Sequence, residues 1–136
     1  MNFGADLLLV AGEIVWEGDN LALASGEDNA KQQTELQVLT DLGEMVFYKD
    51  YGGRISSFLT GKTFTLENKV KAEAEVRSTL LKVGTVAGGE GWIENVKECS
   101  ISLTEVDGKQ AFTIFAKYLL RGDVVERELN VTIPEV

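Results

Sequence analysis

The chain has 136 residues, 44% hydrophobic and 26% charged, with 22 acidic against 13 basic side chains and a net charge of -9. One domain around one modest core is expected at that length, and a surface of that sign repels phosphate backbones, so nucleic acid is not an expected partner. Histidine is absent and Cys99 is the only cysteine, which excludes an intrachain disulfide, His-based proton relays and His-rich zinc sites.

From the amino end, Leu7-Leu8-Leu9-Val10, Ile14-Val15-Trp16 and Leu21-Ala22-Leu23 are short apolar runs punctuated by Gly12 and Gly18-Asp19-Asn20. Their lengths and turn residues predict short strands or a strand-like arm, with no register specified. Met1 to Asp6 carries no basic leader and no stretch approaches the length of an apolar membrane span, so synthesis in the cytoplasm is expected, with no membrane partner.

A first helix is predicted from Glu27 to about Leu39. Ser25 stands ready to cap it, Ala30, Leu36 and Leu39 fall roughly on one side, and Gly43 supplies an exit. The apolar run through Met45, Phe47 and Tyr48 then meets a glycine turn at Gly52-Gly53, and Tyr48 and Tyr51 can each bury a ring while leaving a hydroxyl to find a partner. A short helix is expected over Arg54 to Leu59, stopped by Thr60-Gly61.

The strongest helical pattern runs from Leu66 to Val83. Leu66, Val70, Ala72, Ala74, Val76, Leu80, Leu81 and Val83 cover an arc of about 200°, wide enough for contact on more than one side. Glu73 and Arg77 project inside that arc in the favourable acid-before-base order.

Beyond the glycine-rich connection Gly84 to Gly91 the period becomes two. Asp107-Gly108 is a strong hairpin signal, and a two-residue loop there sets Leu103 against Phe112, Ile101 against Ile114 and Cys99 against Ala116. A second turn at Gly122-Asp123 sets Leu120 against Val125, Ala116 against Leu129, Ile114 against Val131 and Phe112 against Ile133. Trp92 and Val96 fall off this parity, which predicts a bulge near Lys97-Glu98. Pro134 ends the last strand at a sheet edge.

The expected fold class is therefore α+β: a three-stranded antiparallel meander packed against helices, with a short-strand amino-terminal arm. It forms a single domain over residues 1–136, divided into the arm (1–24), a helical part (25–83) and the sheet (92–134).

Little in the chain assembles a reaction centre. Acidic pairs such as Glu13 with Glu17, Glu73 with Glu75 and Glu126 with Glu128 arise readily among so many carboxylates, whereas sugar hydrolysis needs two held at a defined separation with divided pKa values. Cys99 has no histidine beside it and shares the buried parity of Ile101, so it reads as core filler. Neither the glycines from Gly84 to Gly91 nor Gly61-Lys62-Thr63 has the spacing of a nucleotide loop. No catalytic residue, cofactor or metal ligand is expected.

The run from Gly18 to Gln32 (GDNLALASGEDNAKQ), followed by Leu39-Thr40-Asp41-Leu42-Gly43-Glu44, Tyr51-Gly52 and Leu59-Thr60-Gly61, resembles the baseplate wedge and sheath initiator family of contractile phage tails. That family has relatives in type VI secretion and other contractile injection systems. The resemblance covers roughly Phe3 to Ile133 and implies a structural subunit of the virion baseplate, assembled in the host cytoplasm in six copies around the tail axis. The implied partners are the tail sheath protein, other wedge proteins and tube or hub proteins. It further implies that the last strand, around Val125 to Ile133, and the amino-terminal arm pair with neighbours by strand exchange or augmentation.

The chain departs from the family pattern in two places. Asp41-Leu42 stands where a Pro-Arg is common, and the Gly88 to Asn95 stretch lacks the arginine of a Glu-Pro-Arg-like turn. Some relatives have carried a lysozyme label, for which these residues give no physical support. The residues expected to meet partner proteins are Tyr51, Glu73, Arg77, Trp92, Val125, Arg127, Leu129 and Val131, with an internal capping role open for the Glu73 and Arg77 pair. Two other readings stand beside this one: a subunit of a bacterial contractile injection or type VI secretion system, and a lysozyme-like glycoside hydrolase.

Overall fold

The computed structural model describes residues 3, 5–10, 13–41, 51–59, 64–85 and 90–134. The expected helix exit at Gly43, the ring of Tyr48, the stop at Thr60-Gly61 and the Gly88-Gly89 stretch lie outside the described residues.

Two long hairpins make the sheet. Strands β7 (Ile93–Val106), β8 (Lys109–Leu120) and β9 (Arg127–Pro134) pair antiparallel in the order β7-β8-β9. The first turn is Asp107-Gly108, with φ of 52° and 77°; positive φ at both loop positions is the type I′ geometry whose twist matches the strands. From it follow the partners Leu103–Phe112, Ile101–Ile114 and Cys99–Ala116. On the other side Phe112 meets Ile133, Ile114 meets Val131 and Ala116 meets Leu129. The register slips between Val96 and Glu98, where parity required a bulge, and again between Ile93 and Asn95.

The second turn departs from expectation. Pairing between β8 and β9 stops at Tyr118–Arg127, so Leu120 does not face Val125 and Glu126 belongs to the connecting loop rather than to the last strand. The Asp123 carboxylate is the cause: its Oδ1 accepts from the amides of Val124 at 2.8 Å and Val125 at 3.1 Å. Those local bonds draw the backbone away from the ladder.

Along β8 Ala111 is buried, and from Phe112 on the buried Phe112, Ile114, Ala116, Tyr118 and Leu120 alternate with half-buried residues. The buried side chains from Phe112 on form one core cluster with Ile101, Leu129 and Val131 from the flanking strands, with Ala72, Val76 and Leu80 from the long helix and with Val83 just beyond it. Burial of each large apolar side chain there contributes about 1.5 to 3 kcal/mol.

The long helix α3 (Leu66–Leu81) begins at Thr65, whose Oγ1 accepts from the Asn68 amide at 3.2 Å. Its buried side is narrower than the sequence predicts. Ala72, Val76, Thr79 and Leu80 are buried, whereas Leu66, Val70 and Leu81 are exposed. One side meets the sheet and the two helices before it pack on α3 as well, while Leu66, Val70 and Leu81 stay exposed.

Helix α1 (Gly26–Leu39) departs further from its expected pattern. Ser25 makes no side-chain cap bond, Leu39 is exposed, and the buried positions are Asn29, Ala30, Thr34, Gln37 and Val38. Helix α2 (Ile55–Leu59) packs against α3, its Ile55 and Leu59 buried. The amide just before it, on Arg54, donates to Glu75 Oε1 of α3 at 3.1 Å.

Residues 5–25 form three short antiparallel ladders arranged as a fork. The stem is β1 (Ala5–Leu7) with β6 (Leu23–Ser25); the prongs are β2 (Leu9–Val10) with β3 (Glu13–Ile14) and β4 (Trp16–Glu17) with β5 (Asn20–Leu21). At the junction the backbone bonds close a ring. Leu8 donates to Ala22 at 2.9 Å, Ala22 to Val15 at 2.8 Å and Val15 to Leu8 at 3.3 Å. Polar side chains of α1 hold the stem: Asn29 Nδ2 donates to the Phe3 carbonyl at 2.7 Å and Gln33 Nε2 to Asp6 Oδ2 at 2.8 Å.

Candidate functional site

A cleft of about 420 Å³ opens where the first turn of α1 approaches the start of β9. Glu27, Asp28 and Lys31 line one side, Glu126, Arg127 and Glu128 the other, with Tyr118 and Leu120 among the lining residues. Arg127 bridges the walls: its Nη2 lies 2.6 Å from Glu27 Oε2 and 3.2 Å from Asp123 Oδ2. The Val125 amide, then the Arg127 guanidinium and the Val124 amide, hold the Asp123 carboxyl below the usual carboxylate range. Arg127, expected to meet a partner, thus makes two ion pairs within the chain and stays partly exposed. Periodicity could not have revealed the link, since Glu27 and Arg127 are far apart in sequence.

Of the acidic pairs considered above, only Glu126 and Glu128 line this cleft. Glu75 is engaged in holding α2, and Glu13 and Glu17 sit exposed on the fork. Among the described residues, no group of three or more Cys, Asp or Glu side chains is placed to hold a metal ion, and no helix is long and apolar enough to cross a membrane.

Glu73 and Arg77 flank Cys99 at the β7 bulge. Arg77 Nη1 donates to the Val96 carbonyl at 3.1 Å, and the Glu73 carbonyl accepts from Cys99 Sγ at 3.7 Å. The guanidinium thus makes a contact within the chain, to a backbone carbonyl beside the register slip between Val96 and Glu98. Burial is the main cause pushing the Cys99 thiol up to about 11; Arg77 opposes that shift and Glu73 adds to it.

The remaining expected contact residues divide by exposure. Leu129 and Val131 point into the core, so only their backbone is open to a partner. Trp92 is half-buried, its ring edge-on to Phe3 at 5.5 Å between centroids. Tyr51 donates a long 3.4 Å hydrogen bond to Gln33 Oε1, and burial, with the Asp6 charge, pushes its phenol up to about 12. Val125 is exposed beside Val124, which is 92% accessible at the loop tip.

Among the described residues, exposed apolar side chains gather at three places. One is the ridge of α3 through Leu66, Val70 and Leu81; the second is the loop tip at Val124 and Val125; the third is the fork, with Val10, Ile14, Trp16, Leu21 and Leu23 all exposed. The sheet adds unpaired backbone: β7 and β9 are its edge strands, each with one strand neighbour. Such surfaces and edges suit association with other protein chains.

No family model matches the chain. No curated protein matches it either. Among solved structures it is similar to a protein from Geobacter sulfurreducens provisionally named a tail lysozyme, with a TM-score of 0.68 and 18% identity over 85% of this chain and 96% of that one. At that identity the likeness shows a shared fold, and it extends over nearly the whole of both chains.

Proposed function

We propose that the protein is a structural, non-enzymatic subunit of a contractile phage tail baseplate, acting as the sheath initiator. The observation that carries this reading is the edge strand β9, which has a single strand neighbour among the described residues, in a fold shared with a protein named for a tail. Leu129 and Val131 anchor that strand in the core while Asn130 and Thr132 remain exposed. The ladder is thereby held rigid for a strand from the first ring of sheath to add to it. The sequence resemblance supports the same assignment, with six copies around the axis and a place in the virion. A bacterial injection system would use the same edge, and gene neighbours distinguish the two settings.

The test is mass spectrometry of purified particles together with sheath assembly on tail tubes in vitro. Presence in the baseplate and faster sheath nucleation are expected. Placing lysines at Asn130 and Thr132, a means by which natural edges are blunted, should leave the fold intact and abolish nucleation. Unchanged nucleation by that variant would remove the edge from the reading.

One observation favours a second reading. Four carboxylates, Glu27, Asp28, Glu126 and Glu128, line the cleft, and the similar Geobacter protein carries lysozyme in its name. Glycoside hydrolysis would have to use two of them, one as acid and one as base or nucleophile. Peptidoglycan turnover that is lost in Glu126→Gln or Glu128→Gln would establish it; absence of turnover from acid to neutral pH would exclude it.

A further inference from the structure

We infer that the segment which adds to the edge of β9 is an extended strand of another protein with lysine or arginine opposite Glu128 and aliphatic side chains beside Leu129 and Val131. The inference rests on the edge reading proposed above and gives the chemistry of the strand that the edge accepts.

Alternation decides which backbone groups await a partner. The two-residue turn at Asp107-Gly108 makes Val106 and Lys109 a hydrogen-bonded pair. From there the odd-numbered residues of β8 bond to β7, and the even-numbered ones from Phe112 to Tyr118 bond to β9. Their partners are Ile133, Val131, Leu129 and Arg127, so the N–H and C=O groups of Glu128, Asn130 and Thr132 point away from β8. Among the described residues no strand or loop backbone bonds to them. Pro134, which has no N–H, ends the edge and limits the length of strand that can pair there. The other edge strand, β7, carries two register shifts, and bulges of that kind blunt an edge.

Side chains then select the occupant. Residues directly opposite each other share a face, so each row across the sheet continues into an added strand. One row is Glu98, Lys117 and Glu128, and its charges alternate. Lys117 lies 3.9 Å from Glu98, while among the described residues no ion pair reaches the exposed Glu128. The next place in the row therefore favours a cation and disfavours an acid. The cleft at the same end of β9 has the same sign, with four carboxylates against Lys31 and an already paired Arg127 among its lining residues. Adjacent places in the added strand turn to the opposite face, beside the buried Leu129 and Val131, where aliphatic side chains fit. A second copy supplies no such cation: antiparallel self-pairing about Asn130 sets Glu128 against Thr132, and each chain brings a net charge of -9.

The test titrates the isotope-labelled full chain with three short peptides, Val-Thr-Leu-X-Leu-Thr-Val, in which X is lysine, glutamine or glutamate, and reads backbone amide shifts by NMR. The symmetric sequence serves either strand direction. Shifts should centre on Glu128, Asn130 and Thr132. The lysine peptide should bind about two- to fivefold more tightly than the glutamine peptide and the glutamate peptide more weakly than both, with the differences shrinking in high salt. Glu128→Lys should reverse that order. Glu105→Gln, which removes one charge from β7 instead, should keep it, and thermal unfolding checks that each variant is folded. An order unchanged in Glu128→Lys, or shifts centred away from β9, would overturn the inference. Shifts of the same amides that grow with protein concentration in the absence of peptide would give the edge to a second copy and overturn it as well. Equal affinity for the three peptides with shifts on β9 would remove the charge selection and leave the edge reading standing, whereas no binding by any peptide would remove both.

Discussion

The side-chain amide of Gln32 completes a strand ladder with Leu7. Its Nε2 donates to the Leu7 carbonyl at 2.8 Å while its Oε1 accepts from the Leu9 amide at 3.0 Å. One carboxamide thus takes the place of a neighbouring strand on both sides of Leu8, and fastens the root of the fork to α1. This use of a polar side chain explains why α1 has no clean apolar stripe: Asn29 and Gln32 bond the amino-terminal backbone, and Gln33 reaches Asp6.

Gln32→Leu should leave the Leu7 carbonyl and Leu9 amide unpaired and destabilise the protein by about 1 to 3 kcal/mol. Gln32→Glu keeps the acceptor and loses the donor, so it should protect the Leu9 amide while weakening the stem. Hydrogen exchange at Leu9, measured beside urea unfolding, separates the two variants. Equal exchange at Leu9 in both would show that the clamp does not hold the strand.

The Glu27–Arg127 pair joins α1 to β9 at the surface, with both side chains partly exposed. Solvent screening limits its contribution, so a double-mutant cycle with Glu27→Gln and Arg127→Gln should give a coupling of about 0.2 to 1 kcal/mol that shrinks with added salt. A markedly larger, salt-insensitive coupling would mean the cleft wall is drier than its exposure implies.

Alkaline pH should weaken the fold through Cys99 and Tyr51. Both groups have folded pKa values raised above their ordinary 9.0 and 10.0, to about 11 and about 12, so the native state keeps a proton that the unfolded chain releases. Their contribution is complete below pH 9 and is lost as pH rises through the folded values. Urea midpoints should therefore fall less steeply between pH 9 and 11 in Cys99→Ala than in the parent. At pH 8 only about one thiol in a thousand is ionised, against about a tenth for an unshifted group, so native thiol labelling should run roughly a hundredfold slower than in urea.

Gly84 and Gly108 should respond differently to alanine. Both have positive φ, 88° and 77°, but a Cβ on Gly84 would collide with the Trp92 indole whereas one on Gly108 meets open space. Gly108→Ala should cost about 1 kcal/mol, from backbone conformation alone. Gly84→Ala should cost about 1 to 3 kcal/mol more and alter Trp92 fluorescence, since the ring and its edge contact with Phe3 must move. Thermal unfolding followed by tryptophan emission compares them.

The three-stranded sheet was legible around its first turn and along the middle of β8, where its determinants are local, but not at its second turn. Asp107-Gly108 adopts the one tight turn suited to its φ preferences, and alternation then puts Ile101, Ile114 and Val131 abreast in the core. The bulge at Val96 followed from the same parity. Composition alone rules out histidine chemistry and leaves residues 1–30 without lysine or arginine.

The other features depended on long-range packing, because they join residues whose partners no local period can name. Gln32 reads as a solvent-facing helix residue until Leu7 and Leu9 are beside it, and Glu27 as a first-turn acid until Arg127 reaches it. Asp123 could have closed a two-residue hairpin, but its carboxylate binds the amides that follow and the Arg127 guanidinium, opening the loop instead. The apolar width of α3 was present in the sequence, yet which side faced the sheet depended on the packing of Val76 and Leu80, and that choice left Leu66 and Val70 in solvent.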